Sequence, residues 1–365
     1  MRLLKTSDGW PYLLVPFIPI AIALDVAGAS APAIFFTSAV GVIPTAALMG
    51  RATEELAARS GPGIGGLLNV TFGNAPELII ALFALDKGLH EVVKASLVGS
   101  ILGNVLLVLG AAMFVGGLRR DRQRFDRTAA GVQSSMLLLA AAAMVMPAIF
   151  EMVEGRGLPA PGAEIVNYGA TIEKLSYAVA GVLILTYIGG LLFSLRTHRD
   201  LFNPPENKDP AEHWSVRRSV LMLALAGVAV GGMSEILVGS ISEAAKSVGL
   251  SEFFIGAIVV AIVGNAAEHW VAVLVAHKNQ MDLAVNIAIG SSAQIALFVA
   301  PVLVLVSAWL GPFPMPFVLN GFEVGGVLFA VVIANHVTSE GESTWFEGLQ
   351  LLAVYTVLAI AFAVA

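Results

Sequence analysis

Long apolar runs alternate with short polar breaks along this chain, and each run approaches the roughly 20 mostly apolar residues that a bilayer crossing requires. About eleven runs can be laid down: about 10–26, 32–57, 63–85, 92–116, 128–150, 172–195, 220–244, 252–276, 283–308, 317–336 and 345–365. The one long polar connection, 196–218, contains Asn203-Pro204-Pro205-Glu206-Asn207, a strong loop signal. The pattern predicts an all-α membrane protein of about eleven transmembrane helices. It divides into an N-terminal helix (1–30), a first five-helix repeat (31–195), a cytoplasmic connecting loop (196–218) and a second five-helix repeat (219–365).

The repeat is visible in the residues themselves. Gly73-Asn74-Ala75-Pro76-Glu77 returns 191 residues later as Gly264-Asn265-Ala266-Ala267-Glu268, both times inside an apolar run. The same offset pairs Gly99-Ser100 with Gly290-Ser291 and Glu91 with Asp282, without a gap. Basic residues accumulate in cytoplasmic loops. Arg119-Arg120-Asp121-Arg122-Gln123-Arg124 is the most basic segment, and Arg196, Arg199, Arg217 and Arg218 flank the central connection. Both are placed in the cytoplasm, which puts Arg2 and Lys5 inside and the C-terminus outside. The two motifs lie five spans apart, so their helices cross in opposite directions. An inverted repeat with interrupted helices at its interface is a transporter architecture.

Composition agrees: 57% hydrophobic and 13% charged residues, with a mean hydropathy of +0.85, indicate an integral membrane protein whose partner is the lipid bilayer. The net charge of −6 says little about partners, because the charges sit in short loops and at a few intramembrane positions, and no nucleic-acid partner is expected. With no cysteine there is no disulfide, thiolate metal site or cysteine nucleophile. Arg2 and Lys5 before an apolar run resemble a signal peptide, but the run reads as a first span.

An ionisable group inside a span is expensive and marks function. Asn74 and Glu77 share one helical face, and Pro76 has no N–H, so a carbonyl near Phe72 or Gly73 loses its helical partner. In the second copy a break would have to come from Gly264 and Asn265. Ser100 with Asn104, and Ser291 with Gln294, add oxygens on single faces of the following helices. Two carboxylates, Glu77 and Glu268, with neutral oxygens suit a hard cation such as Ca²⁺, which takes 6–8 oxygen ligands. Two empty charged carboxylates would repel, so at least one should carry a proton when the cation leaves, a basis for cation/proton exchange. No Arg or Lys is read beside them as a partner. Glu235, after Ser234, and Glu54, after Thr53, are expected as gate or relay residues at the mouths of the pathway, and His269 reads as a packing or hydrogen-bonding residue.

The strings Gly73-Asn74-Ala75-Pro76-Glu77-Leu78-Ile79-Ile80-Ala81-Leu82, Gly99-Ser100-Ile101-Leu102-Gly103-Asn104 and Gly264-Asn265-Ala266-Ala267-Glu268-His269 resemble the signature repeats of the calcium/proton exchanger (CAX) family of calcium/cation antiporters. The resemblance covers nearly the whole chain. It implies Ca²⁺ export or sequestration driven by a proton gradient, with Glu77 and Glu268 as the ion- and proton-binding pair. It further implies Asn74, Asn265, Ser100, Asn104, Ser291 and Gln294 as their neighbours. Two features depart from the pattern: Pro76, where many members have Thr, and a central segment of mixed charge where eukaryotic relatives often carry an acidic helix.

Sodium/calcium exchange and a divalent-cation channel are the alternatives. Sodium coupling favours extra hydroxyls beside each Glu, where this chain has Ala75-Pro76 and Ala266-Ala267, and a channel would place a ring of acids around a symmetric pore. An enzyme is not expected, since no His-Glu-x-x-His pattern occurs. No cofactor is expected beyond the transported Ca²⁺ and H⁺, and a homo-oligomer is compatible with the spans. Short loops favour the inner (plasma) membrane over a vacuole.

Overall fold

The structure is a computed structural model that describes residues 9–163, 168–197 and 214–365; most of the central connection therefore lies outside the described residues. Among the described residues eleven helices carry the fold. They are α1 (Trp10–Val26), α2 (Ala31–Phe72), α3 (Ala75–Asp86), α4 (His90–Gly117), α5 (Arg127–Val153) and α6 (Ala170–Thr197), then α7 (Val216–Val248), α8 (Glu252–His277), α9 (Met281–Val306), α10 (Gly321–Thr338) and α11 (Trp345–Val364). Among the described residues nine helices are long and apolar enough to cross a membrane, and α1 is a shorter apolar helix.

Local chemistry sets the boundaries. Asp126 caps α5 by accepting from the amides of Thr128 and Ala129 at 2.8 and 2.9 Å. Asn320 with Glu323, and Thr344 with Glu347, form reciprocal capping boxes that start α10 and α11. The box at Asn320 starts α10 four residues later than the hydropathy pattern suggests. Glycine in a left-handed conformation ends α7 at Gly249. Two short strands, β1 (Gln123–Arg124) and β2 (Glu342–Ser343), pair antiparallel with Gln123 opposite Ser343, tying the loop after α4 to the loop after α10.

Two elements differ from the hydropathy reading. Residues expected as a second span and half of a third form one helical stretch, α2, of 42 residues. That helix is not straight. Gly65 packs directly on the backbone of Ala57, whereas eight residues of straight helix would separate them by about 12 Å. The chain bends sharply between them, where the sequence reads Gly61-Pro62-Gly63. The second difference is in α8, which runs without interruption through Gly264 and Asn265. Gly264 and Asn265 do not break it, and no proline removes an amide; the backbone instead widens into a π turn earlier, at Ile255–Val260.

The two halves match at the 191-residue offset: α4 begins at His90 and α9 at Met281. Their second residues do the same work. Glu91 accepts from the amide of Gly162 at 2.6 Å, and Asp282 accepts from the amide of Asp126. Each half packs its α4-type helix over the other half's motif helix. Gly99 of α4 leaves so little room that an added Cβ would overlap the Ala257 carbonyl of α8, and one at Gly256 would stand 2.9 Å from the Val92 oxygen.

Candidate cation site

The first motif sits at a helix break. α2 ends at Phe72 and α3 starts at Ala75, with Pro76 in its first turn; the Pro76 nitrogen has no hydrogen to return to the Phe72 carbonyl. Glu77 therefore occupies the first turn of α3, where the positive end of the helix dipole favours a carboxylate. Its side chain lies over Gly264, such that an added Cβ there would stand 3.4 Å from Glu77 Cγ. Glu268 lies one turn beyond Gly264 on α8. The two carboxylates, 191 residues apart in sequence, thus meet across the packing of α3 on α8.

The neighbours form a cross-linked set. Asn74 Nδ2 donates to Gln294 Oε1 at 2.7 Å, joining the break to α9. Asn265 Nδ2 donates to Ser100 Oγ at 3.1 Å and to the Ala261 carbonyl at 2.9 Å, joining α8 to α4. Ser291 Oγ donates to Glu268 Oε2 at 3.1 Å. Asn104 Oδ1 lies 3.1 Å from His269 Nε2. Each asparagine donates to the other half, Asn265 also to its own helix, and leaves its oxygen behind. Asn74 Oδ1, Asn265 Oδ1 and Glu77 Oε2 are buried with no hydrogen-bond partner in the protein. Buried acceptors are normally satisfied. A set made only of oxygens, two of them amide and the rest carboxylate, fits a hard cation.

A cavity of about 960 Å³ reaches this set. Glu77, Glu268, Ser291, Gln294 and Glu54 all line it, while Asn74, Asn265, Ser100 and Asn104 are buried just behind the wall. Its mouth lies at the face where basic loops gather: Lys278 lines it, and Arg120 of the loop after α4 donates to the neighbouring His277 carbonyl at 3.1 Å. Gly290, the counterpart of the closely packed Gly99, lines the same cavity.

Two sequence-based assignments need correction. Glu235 is exposed on α7 and does not line the cavity. At the repeat offset its counterpart is Pro44, not Glu54, so the hydroxyl–carboxylate resemblance of Ser234-Glu235 to Thr53-Glu54 is coincidental in register. Second, a lysine does lie within a span: Lys94 is buried in α4. It donates to the Val318 carbonyl at 3.2 Å, toward the other end of α4 from Asn104, and does not neutralise the pair.

Sequence reading also missed cavity residues. Gln133 of α5 donates to Asn286 of α9, and both line the cavity beside Gly290. Their signal was a polar amide within an otherwise apolar run. Trp10, Tyr187 and Trp270 supply aromatic walls, with Trp10 and Trp270 edge to face at 5.9 Å.

Comparison with known proteins follows the same outline. The family model described as sodium/calcium exchanger protein matches residues 30–196 and 218–364. The chain is 43% identical over 370 residues to a Ca(2+)/H(+) antiporter of Synechocystis sp., covering 96% of each chain. It is 42% identical over 357 residues to the Ca(2+)/H(+) antiporter ChaA of Bacillus subtilis, covering 96% of this chain and 97% of the relative. The solved structure of native YfkE superposes with a TM-score of 0.81 at 39% identity, over 97% of this chain and 100% of the other.

Proposed function

The chain belongs to the sodium/calcium exchanger protein family, and from that premise we propose that it is a secondary antiporter exchanging Ca²⁺ for H⁺, with Glu77 and Glu268 alternately holding the cation and protons. One observation carries the reading. Two carboxylates from inverted motifs meet at the end of one cavity, amid buried oxygens that have no donor in the protein. A divalent ion entering from the mouth meets a charge of up to −2 and neutral oxygens from Asn74 and Asn265. When it leaves, protons replace it on the same carboxylates, since two adjacent negative charges in a desolvated site repel. Cation and proton therefore exclude each other, which is the coupling an antiporter needs.

Gln294 and Ser100 orient the two asparagine amides so that their oxygens face the site, and Ser291 orients Glu268. Asn104 acts one shell further out, through His269. Glu54, on the cavity wall, is the relay at the mouth. The inverted halves are 31–195 and 219–365, a division supported by the matched starts of α4 and α9. The mouth faces the cytoplasm, with the N-terminus on that side, because the Arg119–Arg124 loop and the β1–β2 pair share its face. Export across the plasma (inner) membrane follows.

The test is ⁴⁵Ca²⁺ uptake into proteoliposomes with an imposed pH gradient, repeated with a sodium gradient. Proton-driven uptake is expected, and uptake driven by sodium alone would overturn the coupling ion. In the same assay the KM for Ca²⁺ should rise as pH falls from about 8 to 6, because protons occupy the carboxylates. A flat profile would contradict the shared site.

A further inference from the structure

At the cavity mouth, a guanidinium is parked on an indole. Arg51 Cζ of α2 stands 5.1 Å from the centre of the Trp214 ring, and Arg218 Cζ of α7 stands 4.5 Å from it. The Trp214 backbone is held as well: its N–H donates to Glu55 Oε2 at 2.8 Å, and its carbonyl accepts from Arg59 Nε at 3.2 Å. Arg51, Glu55 and Arg59 are spaced i, i+4, i+8 along one face of α2. Trp214, more than 150 residues away in sequence, is thus fastened to that face at three points, with Arg218 of α7 on its ring as a fourth contact.

Arg51 lines the cavity, as does Glu54 one turn along, and Glu54 is close enough to Glu268 for their charges to interact. Tyr12 also lies beside Arg51. A long cationic arm on the wall of a cation cavity is a competitor for its carboxylates. Released, it would swing inward along the cavity wall toward Glu268 and Glu77, and a divalent ion would have to displace it. Stacking on an indole face holds the charge through the electron-rich ring.

We propose that Trp214 is a positioning residue for cation exchange: it holds Arg51 against its ring and away from the inner carboxylates, so that the incoming divalent ion becomes their counter-charge. This rests on the exchange reading above. It assigns the end of the central connection a part in substrate affinity.

The experiment uses the full chain in proteoliposomes, with ⁴⁵Ca²⁺ uptake resolved into KM and kcat. Trp214→Ala should raise KM about tenfold with kcat retained, the factor expected of a mid-range cation–π contact. Trp214→Phe, which keeps a ring face, should stay within about twofold of wild type. The double variant Arg51→Gln/Trp214→Ala should recover the wild-type KM, because the competitor is gone. Arg51→Lys, which leaves Trp214 and its packing in place, should raise KM about threefold, since an ammonium stacks less well and pairs more freely. A double variant as impaired as Trp214→Ala would show that Trp214 acts through packing alone and would overturn the proposal. So would a wild-type KM in both Trp214→Ala and Arg51→Lys. Absence of uptake by the wild type would strike instead at the exchange reading; Ca²⁺ affinities of the same proteins by calorimetry should still follow the stated order, and equal affinities would sink the clamp too.

Discussion

The two copies of the Gly-Asn-x-x-Glu motif share their chemistry and differ in their backbone. In the first, Pro76 splits the crossing into the end of α2 and the start of α3, and Glu77 sits at a helix N-terminus. In the second, α8 is continuous and Glu268 lies mid-helix, steadied by Ser291. The difference extends to the helices packed over each motif. Gly99 is pressed onto the Ala257 backbone, while a Cβ added at its counterpart Gly290 would meet only the side-chain ends of Asn286 and Gln133, at 3.3 and 3.5 Å, and Gly290 borders the cavity. One half of an inverted pair is closed and the other open. Equivalent sequences can be held in unequal conformations, and exchanging which half is closed would move the opening to the other side of the membrane.

If the two copies are chemically equivalent, Glu77→Gln and Glu268→Gln should each abolish exchange, by about a hundredfold or more, in folded protein. Retained transport by either, measured as proton-driven ⁴⁵Ca²⁺ uptake, would break the equivalence. The backbones should respond unequally. Ala267→Pro would put a proline inside continuous α8 and cost about 3 kcal/mol or more of stability, seen as a lower thermal midpoint in detergent. Pro76→Ala should leave the fold intact and lower turnover by restoring an amide at the break. Equal effects of the two would mean that the break is unimportant. A subtler contrast tests the open and closed halves. Gly99→Ala overpacks a backbone contact and should destabilise by about 1–3 kcal/mol. Gly290→Ala meets only side-chain ends that can yield, so it should keep wild-type stability while slowing turnover.

The smallest effect is expected away from both motifs, in the β1–β2 ribbon. The hydrogen bond from Arg122, joined by Arg124, holds the Glu342 carboxyl below the usual carboxylate range. A lowered folded pKa stabilises above the ordinary carboxylate value, and that contribution is lost as pH falls through the folded value. Glu342→Gln should therefore leave transport unchanged and flatten only the acid edge of a stability-against-pH curve, slightly, because the pair is open to solvent.

Much of this organisation was legible in the sequence because it is local or periodic. Apolar run length located the spans, proline chemistry located the break at Pro76, and the 191-residue offset paired Glu77 with Glu268. What escaped depends on the third dimension. The π turn at Ile255–Val260 and the amide pair Gln133–Asn286 arise from packing between distant segments. Trp214 read as the end of a loop of mixed charge, since nothing local announces that two arginines from different helices share its ring. Glu235 stands apart from this cavity, and the likeness of Ser234-Glu235 to Thr53-Glu54 does not follow the repeat register.

The cross-linking between halves also bears on how the protein is made. Asn74 finds its partner in Gln294, and Gln123 pairs with Ser343, each roughly 220 residues downstream. At about 5–20 residues per second, some 10–45 s of synthesis separate the first member of each pair from the second. Through that interval the nascent first half holds a carboxylate and an amide in the membrane with their partners not yet made, and such groups are costly in lipid. The machinery that inserts the chain must therefore shelter this half until the second arrives, and truncation before α9 should yield a product prone to degradation even though every span in it is intact.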